Sequence, residues 1–211
     1  VTNPQVRRPS AADERRVWTA GGSLLIASVL ISFGLQAAFV PFAGTLASVA
    51  SAAALLLFAL GFRGAGSVTA RRPLGTSALV VLSVWSLVAP MIAPLVVERD
   101  IDDGLAFGYG DILVQFVAAL VAVTQIARAG VVPTPWNRAP ALALAAMTAS
   151  WAVLQVVAIG GTGEVTPAVL SLMSLDGLVH MAAPLFLGVV AVVLANRARR
   201  PRTVPVYRTP G

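Results

Sequence analysis

The stretch DGLVHMAAPLFLGVVAVVLANRARR, Asp176–Arg200, decides the fold class. From Asp176 to Asn196 the only ionisable side chains are Asp176 and His180, and arginines follow at once. About 20 apolar residues match the thickness of a bilayer core. In lipid every backbone N–H and C=O must be satisfied within the segment, so such a stretch is a helix. The arginines after it mark the side that stays in the cytoplasm.

The same pattern recurs five times upstream. Apolar spans run over Ala20–Val40, Ala43–Phe62, Leu74–Val97, Asp111–Ala129 and Ala139–Ile159. The expected architecture is an all-α, polytopic membrane bundle of six transmembrane helices, with both termini cytoplasmic and three helical hairpins in one orientation. Residues 1–19 form a cytoplasmic N-terminal segment, 20–196 the transmembrane domain, and 197–211 a cytoplasmic Arg-rich tail. Residues 168–175, a short apolar piece before the sixth span, read as an interfacial helix.

Charge fixes the orientation. With the N-terminus inside, fourteen of the fifteen arginines fall on the cytoplasmic side, and Arg99 alone falls outside. Seven of the nine acids fall outside: Glu98, Asp100, Asp102, Asp103, Asp111, Glu164 and Asp176. The net charge of +6 therefore reflects the positive-inside rule and gives no argument for nucleic-acid binding. Composition agrees. The 211 residues are 57% hydrophobic and 11% charged, with mean hydropathy +0.84. A soluble domain carries roughly 25% charged residues. The lipid bilayer is the expected partner of most of this surface, with anionic lipid at the Arg-rich tail and either a second copy or a membrane protein as further partners. Exclusive use of Arg, with abundant Ala, Val and Leu, points to a GC-rich bacterium and hence to its plasma membrane.

Several chemistries drop out. The chain has no Cys, which removes disulfides, thiolate nucleophiles and thiolate-bound metals. It has no Lys, so no Schiff base can form. It has one His, so two histidines of one chain cannot hold a haem. No cofactor is expected. The acidic segment Asp100–Asp111 lacks the Gly and Glu positions of a calcium loop. No phosphate-binding glycine loop or nucleophile elbow occurs.

Two hairpins share marks. Trp85 and Trp151 lie 66 residues apart, and Asp111 and Asp176 lie 65 apart. Parallel repeats of this kind occur in transporters. Asp111 and Asp176 open the fourth and sixth spans, where a carboxylate caps free N–H groups.

Polar side chains within lipid spans are costly and need a reason. The candidates are Gln36, Asp111, Gln115, Gln155, Asp176 and His180, all read as lying in the outer third of the membrane. If their faces converge, they line an outward-facing polar pocket. His180 supplies an imidazole, which exchanges a proton near neutral pH, and Asp176 lies one turn before it. These residues point to a small transporter or channel for a polar or cationic solute. The alternative is a non-catalytic accessory or scaffold subunit, whose contact face is the small-residue series Gly44, Ser48 and Ala52. Pro90 and Pro94 free carbonyls near the end of the third span.

Overall fold

The computed structural model describes residues 11–37, 40, 42–62, 66–98, 101–160 and 166–197. Gln36 belongs to the first helix, but its side chain lies outside the described residues, as do Arg63, Arg99, Asp100, Glu164 and the tail beyond Arg197.

The apolar spans become six helices, each long and apolar enough to cross a membrane, as expected of a multi-pass membrane protein. They are α1 (Ala11–Ala37), α2 (Ala43–Leu60), α3 (Pro73–Val97), α4 (Ile101–Ala129), α5 (Ala139–Gly160) and α6 (Pro167–Arg197). A 3-10 turn, Trp136–Arg138, leads into α5. The shortest, α2, has 18 residues and spans roughly 27 Å at 1.5 Å per residue.

Two expectations are corrected. Residues 167–175 are not a separate interfacial helix, because α6 runs unbroken from Pro167. The acidic segment is not a long loop, because α4 starts at Ile101. Asp102 and Asp103 lie in its first turn, where carboxylates favour the positive end of the helix dipole. Phe107 then packs on Trp85 of α3, with ring centroids 6.5 Å apart. Asp111 and Asp176 thus sit ten and nine residues inside their helices and cap neither.

The helices form a ring in chain order. Each packs mainly on its two sequence neighbours, and α6 closes on α1. Neighbours run antiparallel. Trp18 near the start of α1 meets Phe58 near the end of α2, and Arg15 of α1 donates to Asn196 of α6. One end of the bundle therefore gathers Arg15, Arg72, Arg128, Arg138 and Arg197, and the other Glu98, Asp102 and Asp103. We call these the basic and acidic ends.

The seams differ. At α1–α6 two glycines let the backbones touch: a Cβ on Gly22 would stand 2.7 Å from the Gly188 carbonyl, and one on Gly188 2.8 Å from the Gly22 carbonyl. The α2–α3 seam is tied by Ser83, fully buried, whose Oγ donates to the Ala52 carbonyl at 2.9 Å. The α4–α5 seam is the sparsest.

The buried core clusters toward the basic end, around Trp18, Phe58, Leu79, Ala122, Ile126 and Ala191. The α2–α3 loop folds back beneath it. Val68 N–H donates to the Phe58 carbonyl, and Ser67 Oγ donates to the Ala59 carbonyl at 2.7 Å. Thr69, fully buried, hydrogen-bonds Thr76 at 3.0 Å. This network holds Ala70 and Arg71 at φ 50° and 56°, left-handed values that cost an L-residue on the order of 1 kcal/mol each.

Candidate functional site

Two half-buried carboxylates lie about a third of the way along α4 and α6, each gripped from a neighbouring helix. Trp85 is the middle residue of α3, twelve residues from either end, or roughly 18 Å along the axis. Its indole Nε1 donates to Asp111 Oδ1 at 2.6 Å, and Gln115 Nε2 donates to the same oxygen at 2.8 Å. Ser150, near the middle of α5, donates its Oγ to Asp176 Oδ1 at 2.6 Å. His180 Nδ1 stands 3.0 Å from the Asp176 carbonyl and 3.3 Å from its carboxylate Oδ1. A hydrogen on Nδ1 therefore has two acceptors on the preceding turn. The His180 side chain is 42% exposed and that of Asp176 21%.

The two groups share one register. Trp85 and Asp111 are 26 residues apart, as are Ser150 and Asp176. Each carboxylate has its second partner four residues on, Gln115 or His180. Trp85 and Ser150, Asp111 and Asp176, and Gln115 and His180 are thus all 65 residues apart. The register corrects the tryptophan pairing: Trp85 corresponds to Ser150, not to Trp151. Trp85 also has a polar role, since its indole N–H holds the acid.

Toward the basic end the same helix stripes line an apolar chamber of about 230 Å³, to which all six helices contribute, among them Leu25, Phe58, Leu79, Ala122, Leu144 and Leu187. Leu79 and Leu144, Leu82 and Met147, Ala122 and Leu187, and Ile126 and Ala191 face it in pairs at the same 65-residue offset. On α6, Asp176 and His180 precede Leu187, Ala191 and Leu194 at spacings of 4, 7, 4 and 3 residues, one continuous helical stripe. On α4, Asp111 and Gln115 precede Ala122 and Ile126 in the same way. The carboxylate groups therefore lie on the chamber-facing stripes, one level farther from the basic end.

Among the sequence candidates, the structure joins Asp111 with Gln115 and Asp176 with His180, on separate helix pairs. Gln155 is half-buried on α5 and, among the described residues, hydrogen-bonds neither group. Sequence reasoning missed Ser150 and the indole of Trp85 as donors. The repeated 26-residue separation, read together with the i, i+4 partner, is the signal that finds both. Among the described residues no three His, Asp or Glu side chains gather as a metal site would require.

No family model, curated protein or solved structure matches the chain.

Proposed function

We propose that the protein is a small transporter for a polar or cationic solute, with Asp176 and His180 as its proton-sensitive pair and Asp111 and Gln115 as solute contacts. The observation that carries this reading is the pair of carboxylates at matching positions well inside two helix hairpins. An ionised carboxylate within a bilayer costs up to about 2.5–3.5 kcal/mol, the value at its centre on insertion scales, whereas an interhelical hydrogen bond returns about 1 kcal/mol. Packing alone therefore gives a poor reason to keep two. The shared register supports a duplicated hairpin, a common way to build a transporter. In this reading the basic end faces the cytoplasm of a bacterium, by the positive-inside rule, and the tail beyond it meets anionic headgroups.

An accessory role in a membrane complex is favoured by one observation. Gly44 on α2 has open space where a Cβ would stand, so this small-residue face is uncovered at its acidic end.

Absence of Cys makes the test direct. Single cysteines replace Gln115 and His180 in turn, with Asp102→Cys and Arg72→Cys as end markers. A membrane-impermeant thiol reagent is added outside intact cells. Transport predicts labelling at Gln115→Cys, His180→Cys and Asp102→Cys, with Arg72→Cys protected until the cells are permeabilised. Protection of Gln115→Cys and His180→Cys beside a labelled Asp102→Cys means that water does not reach the carboxylates, and the accessory reading replaces transport.

A further inference from the structure

At the basic end of the ring the chamber adjoins another space. A second cavity of about 670 Å³ lies between the start of α1, the α4–α5 connection and the end of α6. Trp18, Trp136 and Leu194 line both spaces, so these three side chains mark the junction between them. The two spaces differ in chemistry. The chamber is walled by aliphatic and aromatic side chains, whereas the outer cleft carries Arg15, Arg197 and Glu14.

Three details point to a ligand at the junction. The Trp18 indole is 7% exposed, and its Nε1 is buried without a hydrogen-bond partner among the described residues. A buried indole N–H ordinarily finds an acceptor. Arg15 directs one N–H to Asn196 Oδ1 at 3.1 Å, and its fork has further donors. Arg197 stands 5.9 Å over the ring of Trp136, which fixes a second guanidinium beside the same junction. Against these two cations the cleft lining has one carboxylate, Glu14.

An apolar space next to a cleft lined by two guanidinium groups fits one class of molecule. We propose that chamber and cleft together bind a single-chain anionic lipid, with its hydrocarbon chain in the chamber and its carboxylate or phosphate head at Arg15 and Arg197. At about 230 Å³ the chamber exceeds the ~150 Å³ cavity that admits benzene, and it is small for two acyl chains. Guanidinium forks bind carboxylate and phosphate in bidentate fashion, and the leaflet facing a basic end is the one rich in anionic lipid. This site lies at the opposite side of the chamber from the carboxylate groups and does not depend on transport.

The test uses the full chain, purified and examined by native mass spectrometry with added hexadecanoic acid or hexadecanol, which share a chain and differ in the head. A one-to-one adduct that favours the acid is expected. R15Q/R197Q should weaken the acid roughly tenfold or more and leave the alcohol unchanged. Ala122→Phe, which fills the chamber, should remove both adducts. Absence of an acid adduct on the wild-type chain overturns the proposal. So does an acid adduct that R15Q/R197Q leaves intact, which would place the lipid on the outer surface. The arginine variant replaces no core residue, so it keeps the test decisive even where Ala122→Phe fails to fold.

Discussion

The hairpins α3–α4 and α5–α6 hold a carboxylate at the same register and surround it with different chemistry. Asp111 receives an indole N–H and an amide N–H, neither of which titrates near neutral pH. Asp176 receives a hydroxyl, which can also accept, and lies beside an imidazole, which can gain a proton. Their outer seams differ as well. Gly188 of α6 corresponds to Val123 of α4 at the common offset. The glycine stands where α6 touches α1, and the valine lines the chamber. One register thus places an indole and an amide around one carboxylate, and a hydroxyl and an imidazole around the other. The hairpin with the imidazole is also the one that closes the ring on α1.

The strongest way to break the comparison is to erase that seam difference. Gly188→Val, which copies the α4 residue into α6, drives a branched side chain into the Gly22 carbonyl. We expect loss of monodisperse protein on size-exclusion chromatography. The reverse change, Val123→Gly, should lower stability by only about 1 kcal/mol, the helix cost of glycine with some lost packing. Comparable losses from the two would show that the seams are equivalent.

Function should divide along the same line. His180→Ala is expected to abolish proton-driven uptake of polar or cationic solutes into proteoliposomes, whereas Gln115→Ala should reduce it only in part. Uptake that survives His180→Ala unchanged removes the imidazole from the mechanism.

The donors come next in size. Trp85→Phe keeps the ring but removes the N–H on Asp111 and should lower thermal stability in detergent by about 2 kcal/mol. Ser150→Ala removes the matching donor and should cost about 1 kcal/mol. A larger loss from Ser150→Ala would show that the hydroxyl is the stronger of the two donors. The first hairpin supplies the control. Gly44→Ala should change stability by a few tenths of a kcal/mol at most, because its Cβ meets open space and alanine favours the helix.

The helices were legible in the sequence because span length and charge asymmetry answer to the bilayer alone. Their ends were not. Residues 104–110, Gly-Leu-Ala-Phe-Gly-Tyr-Gly, give no apolar run and look like loop, yet the dipole favours Asp102 and Asp103 and Trp85 packs on Phe107. That extension turned an apparent cap, Asp111, into an interior acid. The same happened at Asp176, where the apolar residues of Pro167–Leu175 continue the helix rather than stand apart. Asp176 and His180 could be paired from sequence because one turn of helix sets their spacing. Trp85 and Ser150 could not, since each reaches its acid from another helix. The chamber was invisible for a different reason: when almost every position is apolar, composition does not distinguish the face turned inward from the face turned to lipid.

The ring also has a history within each molecule as it is made. Helices α2 to α5 each leave the ribosome beside a partner already present, so their contacts need little search. Among the six described helices, only α6 must also pair with one far away in the chain, α1. Until it does, the Gly22 notch stays uncovered and the chamber lacks one wall. Without α6 the other five helices therefore form an open arc rather than a smaller ring, and α6 decides whether there is an interior at all.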